Sequence, residues 1–266
     1  MKQFIRGILE ERHFAETLAH SERLPARGAR YGEAPSELDT RLRGALSTVG
    51  FSKLYAHQVR ALELALGGAN VVAVAPAGSG KSLSFHLPVF QHLLREPGSF
   101  ALYLYPLKAL AQDQLRSIRR LADALGGPLA AGGELGAEVY DGDTPESRRK
   151  KLRQRPPRIL ITNPDMLHHG VLPSHEQWGE FFGGLRAVVV DELHTYRGIF
   201  GGHIGLLLRR LRRVCRHYGS EPQFLASSAT LSNAAELAER LTGLPFAAVE
   251  ENGAPRAARH FLMLNP

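Results

Sequence analysis

The sequence between residues 70 and 82 constrains the fold more than any other part of the chain. Residues 71–75 (Val-Val-Ala-Val-Ala) form a short apolar run of the kind found in a buried parallel strand. The next seven residues, Pro-Ala-Gly-Ser-Gly-Lys-Ser at 76–82, lead into an apolar segment with helical spacing. A strand, a glycine-rich loop and a helix in this order predict a phosphate-binding loop, with Ala75 where the usual pattern has glycine.

The residue types of this loop suit the chemistry of a nucleoside triphosphate. Glycine lets backbone N–H groups curl around phosphate oxygens, and the following helix adds the positive end of its dipole. We predict that Lys81 binds the β- and γ-phosphates and that Ser82 binds Mg²⁺. The predicted nucleotide-binding residues of the loop are Ala77, Gly78, Ser79, Gly80, Lys81 and Ser82.

Residues 188–194 (Val-Val-Val-Asp-Glu-Leu-His) contribute the second part of the predicted site. A carboxylate at the end of a buried strand is unfavourable unless it meets a cation. We therefore predict that Asp191 binds Mg²⁺ and that Glu192 orients or deprotonates the attacking water. An acidic helix cap would explain a single acidic residue here. Two of them after three valines, downstream of a phosphate loop, favour the catalytic interpretation.

Strand-like runs alternate with helical segments along the chain. The predicted strands are residues 71–75, 100–105, 137–140, 158–162, 184–190 and 223–227, with edge strands expected at 247–250 and 260–264. This alternation predicts an α/β fold with a mostly parallel sheet and helices on both faces. Ligands of such sheets bind at the carboxyl ends of the strands. The residues expected at these ends include Pro106, Asp141, Thr162, Asp191 and Ser228.

The first 48 residues have a different character. Residues 2–20 carry an approximate apolar helical face, and residues 21–35 are rich in Arg, Gly and Pro, which predicts an extended segment. Ser36-Glu37-Leu38-Asp39 resembles a capping box and predicts a helix that begins after Ser36 and runs to about residue 47. We expect a helical and extended N-terminal extension over residues 1–48 and an ATP-binding domain over residues 49–266.

Composition narrows the partner and the compartment. A formal net charge of +7 and a pI near 9.8 favour a polyanionic partner such as nucleic acid. The basic residues cluster at 148–158 and 209–216, which the solvated face of a helix also explains. The single cysteine, Cys215, excludes an internal disulfide and a cysteine-built metal site. Because we find neither a membrane-spanning apolar run nor a signal-peptide core, we expect a cytoplasmic protein.

Taken together, the motifs resemble the first motor domain of superfamily 2 helicases of the DEAD/DEAH-box kind. The segments that carry this resemblance are residues 75–82, 191–194 and 228–230 (Ser-Ala-Thr). The sequences of residues 54–58, 105–110, 162–168 and 191–198 resemble the corresponding motifs of the MrfA/YprA group of bacterial DNA helicases. The resemblance covers roughly residues 25–266 and implies a RecA-like three-layer sandwich.

The resemblance also implies roles for individual residues. Gln58 would recognise adenine, because a side-chain amide both donates and accepts hydrogen bonds. Lys81, Asp191, Glu192 and His194 would be catalytic. The residues that would couple the γ-phosphate to the nucleic-acid side are His194, Ser228, Ala229 and Thr230. The implied contacts to a nucleic-acid strand are Pro106, Leu107, Lys108, Ala109, Asp141, Gly142, Thr162 and Asn163.

The implied cofactors are ATP and Mg²⁺, and the implied partner is single-stranded nucleic acid. Only the resemblance favours DNA over RNA, since backbone contacts do not sense the base. Helicases of this group also have a second motor domain, which supplies arginines to the γ-phosphate, and a C-terminal accessory domain with metal-binding cysteines. The 36 residues after Thr230 are too few for a second motor domain. We therefore expect both domains to be missing and residues 1–266 alone to be nearly inactive.

The implied function is the ATP-binding motor half of an ATP-dependent DNA helicase or translocase that acts in DNA repair and moves 3′-to-5′. Three alternatives stay open from the residues alone. A stand-alone P-loop phosphotransferase or nucleotide-dependent switch would carry a guanine-recognition motif or an arginine-bearing lid, and we find neither. A non-enzymatic nucleic-acid-binding module would not need Lys81 or Glu192. The third alternative is an RNA helicase.

Overall fold

The predicted apolar runs become strands in the computed structural model, which describes residue 7, residue 11 and residues 16–126, 136–229 and 231–265. The strands of these residues are β1 (Leu18–Leu24), β2 (Tyr31–Gly32), β3 (Leu54–Tyr55), β4 (Asn70–Val74), β5 (Phe100–Leu104), β6 (Ala137–Tyr140), β7 (Ile159–Thr162), β8 (Leu185–Val190), β9 (Gln223–Ser228), β10 (Phe246–Val249) and β11 (Arg259–Leu264). The α-helices are α1 (Thr40–Thr48), α2 (Ala56–Leu66), α3 (Lys81–Arg95), α4 (Lys108–Leu125), α5 (Glu146–Gln154), α6 (Pro164–Met166), α7 (Gly179–Gly183), α8 (Gly198–His217) and α9 (Ala234–Thr242). The chain also contains a π-helical turn (Leu167–Val171) and two 3₁₀ turns (Leu172–Trp178 and Leu193–Thr195). Within the described residues, no helix has the length and hydropathy to span a bilayer.

Seven of the predicted runs form one sheet in the order β10-β4-β9-β8-β5-β7-β6. Every neighbouring pair in this sheet is parallel. The carboxyl ends of all seven strands therefore lie along one edge of the sheet. The predicted α/β fold with a parallel sheet and helices on both faces is confirmed.

The sheet separates two apolar layers, because alternate residues of a strand point to opposite faces. One layer contains Tyr103 and Val189 and is covered by helices α1 to α4. The other contains Leu102 and Val188 and is covered by the segment around Trp178 together with α8 and α9. Leu102 lies opposite Val188 in the register of β5 and β8. Strands buried on both faces explain the continuous apolar runs in the sequence.

By compactness the chain divides into two units. The larger unit, Tyr31–Gly253, contains the seven-stranded sheet. The smaller consists of the described parts of Met1–Arg30 and Ala254–Pro266. In the smaller unit β1 pairs antiparallel with β11, and Arg27 and Arg256 exchange two backbone hydrogen bonds of 2.8 and 2.9 Å. The domain boundary at residues 48 and 49 stays a prediction.

Two expectations about the ends of the chain were wrong. Residues 18–20 were expected at the end of a helix, but they begin strand β1. Residues 260–264 were expected at the edge of the main sheet, but they belong to β11 and pair with β1. The partner of each strand lies at the other end of the chain, so the local pattern does not reveal it. Much of the helix predicted over residues 2–20 lies outside the described residues.

The start of α1 also differs from the prediction. The N-cap is Asp39, whose carboxylate accepts a hydrogen bond of 2.9 Å from the backbone N–H of Arg41. Ser36 instead precedes the helix, and its hydroxyl donates to Glu37. The side chain of Gln91 on α3 fixes this turn, since it accepts from the Asp39 N–H at 2.9 Å and donates to the Glu37 carbonyl at 3.1 Å. The contact with Gln91 therefore explains why Asp39, and not Ser36, is the N-cap of α1.

We expect Gly184→Ala to destabilise the larger unit. A Cβ at this position would lie 2.5 Å from the carbonyl oxygen of Gly98 and 2.8 Å from the Phe100 ring, so the entry into β8 would have to shift. Such overpacking costs about 1–3 kcal/mol of unfolding free energy. Gly44→Ala is the matched control, because a Cβ there meets nothing within 4 Å inside α1 and should stabilise by up to about 1 kcal/mol. Equal urea-unfolding midpoints for the two variants would contradict this packing.

Candidate nucleotide-binding site

The predicted phosphate loop connects the end of β4 to the start of α3. Gly78 and Gly80 have φ angles of 74° and 77°, a region that strains residues with a side chain. A Cβ on Gly80 would also lie 2.7 Å from Nε2 of Gln58. Glycine is therefore required at residue 80 both for its backbone conformation and for space.

Lys81 begins α3 and is almost completely buried. Its ammonium group donates a hydrogen bond of 3.3 Å to the carbonyl oxygen of Ser228, at the end of β9. The same carbonyl accepts the backbone N–H of Ala75 at 3.2 Å, so both ends of the loop are tied to β9. Among the described residues, the buried hydroxyls of Ser79 and Ser228 have no hydrogen-bond partner. Buried polar atoms without partners are expected where a ligand supplies them.

Asp191 follows β8 and is buried beside the loop. Burial raises the pKa of its carboxyl group, while hydrogen bonds from Ser227 and from the Glu192 N–H and the positive charge of Lys81 act to lower it. A hard carboxylate oxygen at Asp191 and a hydroxyl at Ser82 match the ligands of Mg²⁺, which needs only one or two protein carboxylates when phosphates supply the rest. The described residues contain no group of three or more His, Cys, Asp or Glu side chains suited to another metal centre.

Glu192 has a left-handed backbone, with φ of 51°, and no other non-glycine residue in the described part of the chain has a positive φ. This strained conformation is of the kind found at functional sites. Its carboxylate lies 3.3 Å from Nδ1 of His194. The backbone N–H of Ala229 lies 3.3 Å from the same nitrogen. His194 therefore contacts both Glu192 and Ala229; its coupling role stays a prediction, and Thr230 lies outside the described residues.

Gln58 is buried in the first turn of α2, not exposed as on a plain surface helix. Its Oε1 accepts the backbone N–H of Tyr55 at 2.8 Å, and its Nε2 donates to the carbonyl oxygen of Gly80 at 2.9 Å. Each end of the amide can form one further hydrogen bond, through a second lone pair on the oxygen and a second N–H on the nitrogen. The side chain thus holds the loop and still has both groups that an adenine edge requires.

Two aromatic residues beside the loop escaped the sequence analysis. The rings of Tyr31 and Tyr55 stack at 5.4 Å with an interplanar angle of 18°, and Tyr55 stacks on His57 at 5.8 Å. The Tyr55 ring would lie 3.9 Å from a Cβ on Gly80, and Tyr31 is half exposed. Aromatic faces of this kind suit stacking with a purine. The sequence signal that could have indicated this role is the position of Tyr55, three residues before Gln58.

The predicted strand contacts lie at the ends of β5, β6 and β7. Lys108 begins α4, and its ammonium group pairs with Asp143 at 2.6 Å, which raises the pKa of Lys108. Asp141 and Thr162 are buried: Asp141 accepts the Asp143 N–H at 2.9 Å, and the Thr162 hydroxyl donates to the Tyr140 carbonyl at 2.5 Å. Asn163 caps α6 by accepting the Met166 N–H at 2.8 Å. The side chains of Asp141, Thr162 and Asn163 therefore form hydrogen bonds within the chain.

The remaining predicted contacts surround this corner. Leu107 is exposed, and a Cβ on Gly142 would lie 3.9 Å from Nζ of Lys108. Pro106 and Ala109 flank the start of α4 next to them. The structure thus brings the three predicted segments to neighbouring strand ends, with Lys108 as their accessible cation.

Comparison with known proteins identifies the family to which these motifs belong. The model of the DEAD/DEAH box helicase family matches residues 55–237, which contain the loop, Asp191 and the Ser-Ala-Thr segment. The chain belongs to the DEAD/DEAH box helicase family. The resemblance predicted from the sequence is confirmed, while the roles of the individual site residues stay predictions.

Within the DEAD/DEAH box family the chain is similar to much longer proteins. It is 41% identical over 265 residues to the uncharacterized ATP-dependent helicase YprA of Bacillus subtilis (strain 168), covering 100% of this chain and 34% of that protein. It is 34% identical over 267 residues to the ATP-dependent helicase HRQ1 of Saccharomyces cerevisiae, covering 99% of this chain and 24% of that one. The solved structure of the DUF1998 helicase MrfA bound to DNA and AMPPNP superposes with a TM-score of 0.90 at 40% identity, covering 98% of this chain and 35% of that one. The chain therefore spans a quarter to a third of the length of these relatives.

Three hydrogen-bonded side chains lie behind the phosphate loop, and one of them, His86, is a titratable histidine. His86 is fully buried on α3; its Nε2 lies 3.0 Å from Oε1 of Gln114, and its Nδ1 lies 3.1 Å from the hydroxyl of Tyr103. Burial lowers the pKa of His86 to about 4, against an ordinary value of 6.5. The ring is therefore neutral near pH 7 in this DEAD/DEAH box domain.

We expect the stability of the domain to fall between pH 6.5 and pH 4 because of His86. In this window the unfolded chain binds a proton at residue 86 and the folded chain does not, so the unfolding free energy drops as the pH falls. The drop attributable to His86 is roughly 3 kcal/mol. Urea unfolding at several pH values should show a shallower pH dependence for His86→Gln than for the parent, while the exposed His203→Gln keeps the parent's dependence. A His86→Gln variant with the parent's pH slope would contradict the assignment.

Proposed function

We propose that this chain is the ATP-binding motor part of an ATP-dependent DNA helicase or translocase. One observation carries the proposal. The loop after β4, Ser228 and Ala229 at the end of β9 and the Asp191-Glu192 pair after β8 meet at the ends of three adjacent strands. This convergence joins a phosphate cradle, a cation and two carboxylates at a single edge of the sheet.

In the proposed mechanism each residue at this edge has a defined task. Lys81 binds the β- and γ-phosphates, and the loop N–H groups from Ala77 to Ser82 surround them. Ser82 and Asp191 would hold Mg²⁺, which when bound neutralises charge on the transferred phosphoryl group. Glu192 orients the attacking water and accepts its proton.

Base selection is assigned to the region between Gln58 and the aromatic stack. The free lone pair and the free N–H of the Gln58 amide complement the N6 amino group and N7 of adenine. The exposed ring of Tyr31, which stacks on Tyr55, would supply the stacking surface. We therefore propose ATP as the nucleotide.

The proposed nucleic-acid surface uses backbone groups more than side chains. Because Asp141, Thr162 and Asn163 are engaged within the chain, we assign the phosphate contacts at these strand ends to backbone N–H groups and to Lys108, whose exposed ammonium group would exchange its ion pair with Asp143 for a phosphate. Such contacts carry no sequence information and suit a protein that moves along a strand. DNA is the proposed strand because the similar MrfA structure is a DNA complex. DNA repair and 3′-to-5′ movement follow from the family resemblance.

We further propose that a group outside this chain completes the site. Among the described residues, Lys81 is the cation whose positive charge acts to lower the pKa of Asp191. Phosphoryl transfer in related systems gains roughly 10³–10⁵ in rate from an arginine finger. We assign that arginine to a second RecA-like motor domain of the full-length protein, with a C-terminal accessory domain as a further partner. Residues 1–266 alone would then hydrolyse ATP slowly.

We also propose a cytoplasmic location for the protein and a division of the chain into an N-terminal extension (residues 1–48) and an ATP-binding domain (residues 49–266).

Lys81→Ala should weaken ATP binding in the presence of Mg²⁺. The substitution removes a charge-assisted phosphate contact, worth about 1.5–3 kcal/mol, so the dissociation constant should rise about 10- to 100-fold. Isothermal titration calorimetry on residues 1–266 measures the change. Lys150→Ala, an exposed lysine on α5, is the charge-matched control and should bind like the parent. Equal affinity of the Lys81 variant and the parent would refute the nucleotide site.

Lys108→Ala should weaken the binding of a single-stranded oligothymidylate. Loss of one phosphate contact lowers the affinity and reduces the slope of log K against log salt by about one contact. Fluorescence anisotropy over a series of salt concentrations gives both values. Arg60→Ala on α2 removes the same charge from an exposed position and should leave the slope unchanged. A slope that is identical in all three proteins would place the strand on another surface.

A further inference from the structure

A row of polar side chains connects the phosphate loop to helix α4. The side-chain Nε2 of Gln114 donates a hydrogen bond of 3.1 Å to the hydroxyl of Ser82. Its Oε1 is 3.0 Å from Nε2 of His86, whose Nδ1 is 3.1 Å from the hydroxyl of Tyr103. None of the roles derived above uses Gln114.

The chemistry of the row sets the direction of each hydrogen bond. An amide oxygen only accepts, so the His86 ring carries its proton on Nε2 and donates it to Gln114. Nδ1 of the neutral ring then accepts from the Tyr103 hydroxyl. Burial keeps the pKa of Tyr103 well above its ordinary value, so that hydroxyl retains its proton. With its oxygen bound to His86, the Gln114 amide presents N–H to Ser82.

Packing makes this row a rigid support. His86 and Tyr103 are almost completely buried between α3 and β5, and Ser82 lies one helical turn before His86. Gln114 reaches them from α4, the helix that begins at Lys108. Gln112 on the same helix is exposed, so its side chain points away from the row. The two glutamines differ in position and not in residue type.

We propose that Gln114 is a positioning residue that orients the Ser82 hydroxyl toward the Mg²⁺ of bound ATP; this inference rests on the proposed function. The N–H of Gln114 occupies one lone pair of the Ser82 oxygen. The second lone pair is left for the metal, and the O–H is left for another acceptor. Without Gln114 the hydroxyl samples its other staggered rotamers. Partners that orient metal ligands in this way commonly alter metal affinity 10- to 100-fold.

The test compares nucleotide binding with and without the metal. A fluorescent N-methylanthraniloyl derivative of ATP is titrated into residues 1–266, once with excess MgCl₂ and once with EDTA, and the ratio of the two affinities is taken. Gln114→Met keeps the length of the side chain and its helix propensity but removes the amide. We expect the ratio to fall about tenfold in this variant while the affinity in EDTA stays within about twofold of the parent. Gln112→Met should keep the parent's ratio.

A second background tests whether Gln114 acts through Ser82. In Ser82→Ala the metal-dependent gain is already reduced, so adding Gln114→Met should cause no further loss, as expected for two residues in one interaction. A further tenfold loss in that background, or an equal loss with MgCl₂ and with EDTA, would overturn the proposal. If thermal unfolding shows that Gln114→Met does not fold, Gln114→Asn, which retains the amide but is one methylene too short, replaces it in the same titrations. A parent protein that binds no nucleotide in either buffer would instead refute the nucleotide site itself.

Discussion

The parallel pairing of β4, β9 and β8 is the constraint on which the candidate site depends. Side by side, these strands end in the phosphate loop, in Ser228 and in Asp191. The Ser228 carbonyl accepts hydrogen bonds from both Ala75 and Lys81, so the loop is fixed to the middle strand at each end. A one-residue slip of β9 would remove this acceptor and turn its apolar side chains to the opposite faces. The geometry of the site is therefore a consequence of strand register.

Burial of charge is the second constraint. Asp191 and Lys81 are both buried, where an unpaired charge is costly. The hydroxyls of Tyr105 and Tyr196 are buried as well, and burial followed by the negative charge of Asp191 raises the pKa of each. Two neutral tyrosines thus border the carboxylate. Burial of the Asp191 carboxylate strengthens its interaction with a bound cation.

Side-chain contacts connect the predicted motifs to one another. His194 joins Glu192 to Ala229, and Gln114 joins the phosphate loop to the helix that begins at Lys108. Both links consist of single side chains between rigid elements. A movement of α4 or of the Ser-Ala-Thr segment would therefore reach the atoms proposed to hold Mg²⁺ and water without a change in the sheet.

The sequence by itself determined the fold class and the place of the candidate nucleotide site. Buried parallel strands have continuous apolar runs, and the loop and the Asp-Glu pair use residue types that few other structures need at that spacing, so the sequence indicated that Lys81, Ser82 and Asp191 follow neighbouring strands, while their roles stay predictions. The tertiary structure decided what depends on distant partners. The strand β1 replaced the end of a predicted helix because β11 pairs with it, and Asp39 replaced Ser36 as the cap because Gln91 holds the preceding turn. Gln58 acquired a structural bond to Gly80, and Gln114 became a neighbour of Ser82, through the packing of helices far apart in sequence. Local patterns record what a segment buries, whereas a hydrogen-bond partner 20 or more residues away is chosen only when the chain has folded.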